Sequence, residues 1–412
     1  MEPKKLVVFG YGARGHIYAD FAERYPELFT LIAIIENNPE RIQDAKKNHK
    51  GVPVFDDYHV FLNRKISADV VAICTQDADH KEHAIAMMDA GYHLLLEKPI
   101  ANNEEDCRKI YDASIKNNSR VIVCHVLRYS PFYSTIKRII DEGKIGEVVS
   151  IQASENVGYF HQAHSFVRGP WKNSIESSPM ILAKCCHDMD IIHYLINEKC
   201  LSVNSYGSLS YFNKEHAPTG SANYCSDCPI KDCIYNAQHL YLDTEARMFA
   251  GYFANDELSD EGILKKLRHS DYDKCVFKSN NDVVDHQVTI MNFENGKTAC
   301  HTMSAFSKDI YRDIKIYATK AQLIGLMEDN KIEIKYFGKD NETINVDISN
   351  ANVGGHNGSD YYMMNNLYNV LNNNVVNGVT FLDDSIESHL MAFGAEKSRL
   401  NNGKTILIKK GN

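Results

Sequence analysis

Leu6-Val7-Val8-Phe9-Gly10-Tyr11-Gly12-Ala13-Arg14-Gly15 is the stretch on which the fold turns. A short unbroken apolar run reads as a strand buried on both faces. The glycine turn follows at once, and a helical pattern then places Ile17, Phe21 and Ala22 on one side. A second apolar run, Leu31 to Ile35, ends at Glu36, 21 residues after Gly15. Strand, glycine turn, helix, strand and acid, in that order, supply the context that a lone G-x-G-x-x-G lacks. Gly10 permits the tight turn, Gly12 lets the backbone approach a pyrophosphate, and Gly15 lets the helix pack close to the strand. The free N–H groups of the helix N-terminus face the phosphates. Gly10, Tyr11, Gly12, Ala13, Arg14 and Gly15 therefore form a candidate dinucleotide cradle. Glu36 can accept hydrogen bonds from the ribose hydroxyls and repels a 2′-phosphate, which favours NAD over NADP. Arg41 works slightly the other way, because it can pair with a phosphate.

The alternation continues outward from there. Asn38 to Asn48, Asp57 to Asn63, Asp79 to Ala90 and Glu104 to Lys116 read as helices. Val52 to Phe55, Asp69 to Thr75, Leu94 to Glu97 and Arg120 to Cys124 read as strands. Repeated strand–helix pairs of this length predict a Rossmann-type α/β domain over residues 1–126, a parallel sheet wound on both faces. Ligands of such sheets lie beyond the carboxyl ends of the strands. Those ends carry Thr75-Gln76-Asp77, Glu97-Lys98-Pro99 and His125, so the residues after each strand are the candidate site.

Composition narrows the function classes. The chain has 412 residues, 44% apolar, and a net charge of -9 from 45 basic and 54 acidic side chains, so no strongly basic face is on offer to nucleic acid or anionic lipid. No apolar run approaches the roughly 20 residues a membrane helix needs. The first residues run straight into a strand instead of a secretion signal, which predicts a cytoplasmic protein. Eleven cysteines are then expected as thiols or metal ligands and not disulfides.

The chain resembles the glucose–fructose oxidoreductase / inositol dehydrogenase / MocA family. The features that carry this are the early glycine turn, Thr75 with His80 five residues on, Glu97-Lys98-Pro99 after a strand, Gly143-Lys144-Ile145-Gly146-Glu147, and His187-Asp188-Met189-Asp190. The resemblance implies a second, α+β domain with a large open, mainly antiparallel sheet, here residues 127–412. It implies NAD(P)-dependent transfer of hydride to or from a hydroxyl or keto group of a sugar or sugar-acid derivative. It also implies a homodimer or homotetramer built through that sheet. Some members use their NAD transiently to cleave glycosidic bonds, and a non-catalytic NAD- or sugar-sensing regulator is a third alternative.

In this frame Lys98 matches the family lysine. An ammonium beside the reacting oxygen stabilises developing alkoxide or relays a proton. His187 matches the family histidine, a base that takes a proton while hydride leaves the same carbon. Asp190, three residues on, shares its helix face and can orient the ring or contact substrate. Many members carry an aspartate four residues before that histidine, where this chain has Ala183 followed by Lys184. Lys184 is thus a candidate second active-site lysine. Glu97, Thr75, Gln76 and His80 complete the cofactor side.

Two clusters stand out in the second domain. His161, His164, Arg168 and the only tryptophan, Trp171, lie within 11 residues. They read as a sugar-binding loop, with Arg168 as a carboxylate clamp; a structural loop and half a metal site are the alternatives. His356, in a glycine-rich loop, is a further candidate substrate contact, a helix cap being the alternative. Cys225-x2-Cys228-x4-Cys233 has thiolate-ligand spacing within an insertion at about 211–275, and Cys275 is the favoured fourth ligand over His239 and His216. Structural zinc is the leading reading, free thiols and redox or cluster chemistry the others.

Overall fold

The computed structural model describes residues 2–254, 257–348 and 358–409. The first sheet has six strands: β1 Lys4–Phe9, β2 Phe29–Ile35, β3 Val54–Phe55, β4 Val70–Ile73, β5 His93–Leu96 and β6 Val121–Val123. They lie in the order β3-β2-β1-β4-β5-β6, and every pair is parallel. Successive side chains of a strand point to opposite faces, and each face has its own helical cover. Leu6 and Val8 pack with Tyr18 and Phe21 of helix Ala13–Arg24. Val7 and Phe9 pack on the other face with Met87 and Met88 of helix His80–Asp89 and with Cys107 and Ile110 of helix Glu104–Lys116. Local capping agrees with the sequence: Asn38 accepts from Glu40 and Arg41 ahead of Pro39–Asn48, and Asn103 caps Glu104–Lys116.

The second sheet has nine strands: β7 Val148–Asn156, β8 Cys200–Ser208, β9 His286–Phe293, β10 Thr298–Ser304, β11 Tyr311–Ala318, β12 Ala321–Leu326, β13 Lys331–Tyr336, β14 Glu342–Asn345 and β15 Ile406–Leu407. Its order is β14-β13-β12-β11-β7-β10-β9-β8-β15. All pairs are antiparallel except β7 with β10. Helix Cys186–Ile196 packs on one face, burying Met189, Ile192 and Leu195 with Ile151, Met291, Ile314 and Leu323. β9 and β10 meet through Asn295 and Gly296, both at positive φ.

The sequence pattern reads Met180 to Leu195 as one helix, but the structure has two, Met180–Ala183 and Cys186–Ile196. It also places Val149 on the same face as Ile151 and Glu155. In the structure a register irregularity lies opposite Tyr317 and Ala318, and Val149 is exposed. The two domains are not sequential blocks. Helix Ser359–Leu371 returns to the first sheet, where Met363, Met364 and Leu367 join one core; helix Leu382–Leu400 bridges the two sheets, with Leu382 and Ile386 in the other core of the first and Met391, Ala392 and Ala395 in the core of the second. His356 lies outside the described residues. The insertion is not coreless. Its short helices and turns surround Phe212, Tyr235, Leu240, Tyr241, Ile263 and Phe277.

Candidate active site

At the glycine turn, packing and ligand access are divided between two glycines. A Cβ on Gly15 would lie 2.0 Å from the Gly10 carbonyl oxygen, so the helix can sit this close to β1 only without a side chain. A Cβ on Gly12 would meet nothing nearer than the Arg41 guanidinium at 3.7 Å, so Gly12 leaves room at the helix N-terminus. No side chain caps that terminus, and its N–H groups are available to phosphate oxygens. Glu36 is buried and accepts the backbone N–H of Tyr11 at 2.7 Å and of Asn38 at 2.8 Å. Arg41 Nη1 lies 3.8 Å from the same carboxylate. These residues fit a dinucleotide: Gly12 and Ala13 would hold its pyrophosphate and Glu36 its ribose.

Two cradle residues, Tyr11 and Arg14, differ from the simplest expectation. The Tyr11 side chain turns inward, and its hydroxyl meets His49 Nε2 at 2.7 Å, so only its backbone faces the cradle. Arg14 is held by Glu97 at 2.5 Å and by Asp360 at 2.6 Å. Glu97 also accepts from the Tyr18 hydroxyl at 2.6 Å. Burial pushes the Glu97 carboxyl up, but the Arg14 guanidinium, the Tyr18 hydroxyl and Lys98 together outweigh this and hold it below the usual range. Arg14 and Glu97 thus lock the turn after β5 to the glycine turn. His80 lies between the Pro99 carbonyl at 2.8 Å and the Thr75 carbonyl at 3.2 Å, bracing the same turn from the other side. The Thr75 hydroxyl meets His83 at 3.0 Å. Gln76 immediately precedes the turn Asp77–Asp79, and Asp77 accepts from Ser178 at 3.0 Å, which ties the two domains at the cleft.

The turn after β5 meets the broken helix at the cleft. Ala183 ends the first piece, and its carbonyl accepts Lys98 Nζ at 2.9 Å. His187 opens the second piece, buried, with the His125 ring 5.8 Å away edge-on. The break at Lys184-Cys185 therefore frees a carbonyl for Lys98, four residues ahead of His187. Lys184 lies 3.5 Å from the buried Glu155 carboxylate. Burial lowers its pKa most, and Arg312 and Lys98 add to this while Glu155 opposes it. His161, at the start of segment Gln162–Arg168, is held well below its usual pKa, first by burial and then by Lys184. Lys98 and Lys184 bring two ammonium groups to this point, with the Glu155 carboxylate beside Lys184.

Other sequence candidates lie elsewhere. Asp190 does not orient His187; it takes both Nε and Nη2 of the buried Arg128, and Arg128 also pairs with Asp384. His164 is sandwiched between Phe249 and Tyr272, 4.7 Å from each, and meets the Tyr241 hydroxyl at 2.8 Å. It is a core residue. Arg168 is 1% exposed and points into the insertion, so it cannot clamp a carboxylate in the cleft. Trp171 is half-buried and packs beside Phe166. Asp285, at the end of the segment leading into β9, accepts the backbone N–H groups of Ser210 and Tyr211.

Sequence reasoning missed the network beneath the site. Arg312 bridges Glu155 and Asp188, and His301 lies 3.9 Å from Asp188. A charged residue in register with the apolar, inward face of a strand was the available signal, in Glu155 of β7 and Arg312 of β11.

Comparison with known proteins agrees with this geometry. Residues 4–125 match the family model for the oxidoreductase family with an NAD-binding Rossmann fold, and residues 137–399 match the C-terminal alpha/beta domain of the same family. The chain belongs to the Gfo/Idh/MocA oxidoreductase family. "Putative oxidoreductase YteT" of Bacillus subtilis (strain 168) is 24% identical over 395 residues, covering 89% of this chain and 88% of that one. Inositol 2-dehydrogenase of Salmonella typhimurium is 28% identical, over only 37% of this chain and 42% of its own length. Levoglucosan dehydrogenase, solved with NADH and levoglucosan, superposes with a TM-score of 0.73 at 17% identity, covering 99% of this chain and 100% of that one. The WlbA dehydrogenase of Bordetella pertussis, solved with NADH and UDP-GlcNAcA, gives 0.69 at 15% identity, covering 100% and 99%.

Proposed function

We propose that the chain is an NAD-dependent dehydrogenase of a sugar or sugar-acid derivative, with Lys98 and His187 acting at the reacting carbon and Lys184 assisting. The observation that carries this is the Lys98 ammonium held at 2.9 Å on Ala183, four residues ahead of His187, at the mouth of the cradle. A bound nicotinamide supplies the hydride acceptor or donor there. Lys98 has three N–H donors and uses one on Ala183. The others can reach the substrate oxygen and stabilise its charge. His187 takes the hydroxyl proton as hydride leaves, or returns it in reduction. Lys184 and His161 line the wall where further hydroxyls or an acidic group of the substrate would sit. The sugar and cyclitol dehydrogenases among the relatives support this substrate class.

Glu36 favours NAD over NADP. The reading includes a homodimer or homotetramer through the outer face of the large sheet, where Val149, Tyr206, Val288 and Ile290 are exposed. It includes a cytoplasmic location. It treats the insertion as a structural appendage outside the reaction.

The test is a panel of sugars and acid sugars with NAD, read by NADH absorbance. Stoichiometric NADH from one substrate, abolished in Lys98→Met with NAD affinity retained, is expected. Full activity in that variant refutes the role of Lys98. Consumption of a glycoside with no net NADH replaces the dehydrogenase reading by glycoside cleavage.

A further inference from the structure

We propose that Cys225, Cys228, Cys233 and Cys275 bind one zinc ion, with the buried Arg168 as its countercharge. This rests on the reading of the insertion as structural, outside the reaction. The four cysteines come from three chain segments, yet all four line one cavity of about 20 Å³, walled by Tyr235 and Phe277. That is room for an ion and little else. The turn Cys225–Asp227 and the bridge between Tyr224 and Lys274 bring the segments together. His239 and His216, the other candidate fourth ligands, pair instead with Asp243 and Asn213.

Arg168 gives a second, independent indication. It donates from Nε to the Lys274 carbonyl at 2.7 Å, from Nη2 to the Tyr235 carbonyl at 2.7 Å, and from Nη2 to Cys225 Sγ at 3.5 Å. It therefore touches every segment that carries a cysteine of the set. Among the described residues no carboxylate lies within 4.0 Å of its guanidinium, although the residue is 1% exposed. A buried, unpaired charge is costly. Four thiolates around Zn²⁺ carry a net charge of -2, which is the anion this guanidinium lacks.

Among the described residues only Cys185, Asp188 and His301 bring three possible ligand atoms within 4.8 Å. The four cysteines thus surround their cavity at wider spacing, and an ion would draw the sulfurs inward by side-chain rotation. The tighter trio is a poorer site, because Arg312 already neutralises Asp188 at 3.0 Å. On binding, each cysteine S–H releases its proton to solvent and four Zn–S bonds form, with no change of oxidation state. Arg168 closes the segment that His161 opens, so the centre also braces one wall of the substrate cleft.

The test uses the full chain, reduced and loaded with Zn²⁺ alone. We expect one zinc per chain by elemental analysis and four thiols shielded from a thiol reagent. Co²⁺ in place of zinc should give the thiolate charge-transfer and tetrahedral d–d bands. Cys228→Ser should lose the metal; where it fails to fold, the cobalt spectrum of the unaltered chain still decides. Arg168→Leu should weaken zinc binding by about 10–100-fold against a competing chelator, and Arg168→Lys less. Zinc well under one per chain with all four thiols reactive overturns the site, as does iron with sulfide in its place. Unchanged zinc affinity in Arg168→Leu overturns the countercharge role. None of these readouts uses NADH production, so failure of the dehydrogenase reading leaves them intact.

Discussion

Gly15 and Gly12 stand three residues apart and should fail in opposite ways. In Gly15→Ala the new Cβ falls 2.0 Å from the Gly10 carbonyl oxygen and 3.1 Å from Val8 Cγ1. The first contact is about 1.4 Å short of ordinary van der Waals separation at 3.4 Å. The obstacle is backbone on one side and a buried strand on the other, so the helix must lift. Overpacking of this kind costs about 1–3 kcal/mol. A helix N-terminus displaced by about 1 Å also loses its alignment on the pyrophosphate, which can cost on the order of 10²-fold in kcat/KM. In Gly12→Ala the Cβ meets only the flexible Arg41 tip at 3.7 Å. The fold is untouched, and the methyl stands where the pyrophosphate would lie. We expect Gly15→Ala to lower both thermal stability and NAD affinity, and Gly12→Ala to lower NAD affinity alone. Calorimetry on the free protein and NADH fluorescence titration measure the two quantities. A normal melting temperature in Gly15→Ala, or undiminished NAD affinity in Gly12→Ala, refutes the division.

Three further outcomes follow from the same geometry. Asp190→Asn leaves the buried Arg128 with only the partly exposed Asp384 as a charged partner; urea unfolding should show a loss of about 3–5 kcal/mol, and a loss below 1 kcal/mol would mean the pair is not the anchor described. Burial, reinforced by Arg128 and Lys98, drives His125 down to a pKa of about 3. Its unfolded pKa is about 6.5, so below that pH the unfolded chain takes a proton the folded chain refuses, and stability falls with falling pH. At about pH 5 the contribution is roughly 2 kcal/mol; His125→Phe should flatten the acid limb by that amount, and an unchanged limb would exclude it. Glu36→Ser removes the carboxylate that accepts from Tyr11 and Asn38 and faces Arg41. NAD affinity should fall about tenfold or more while NADP affinity rises, as measured by paired titrations.

Much of this was legible in local sequence, and the failures share a cause. The glycine turn, Glu36 and Glu97-Lys98-Pro99 could be read because each sits at the end of an apolar strand, and the parallel alternation dictates where strand ends go. Helix Glu104–Lys116 could be read to the residue because Asn103 caps it. Arg168 could not, because its partners lie 57 and more positions away in a segment with no regular period. Asp190 shares a helix face with His187, as spacing requires, but a cation from the turn after β6 takes it first. The split at Lys184-Cys185 has no local breaker; the tertiary pull of Lys98 on Ala183 and of Glu155 on Lys184 overrides helical propensity.

The return of helices Ser359–Leu371 and Leu382–Leu400 to the first sheet has a consequence for how the protein is made. A ribosome that has released residues 1–126 has emitted a sheet whose cores still lack Met363, Met364, Leu367, Leu382 and Ile386. Until those helices emerge, apolar surface on the nucleotide-binding half stays open to chaperones or to other chains. The half that looks most like a portable module in sequence is therefore the one that should aggregate when expressed alone. Appending the two helices through a linker should restore its solubility.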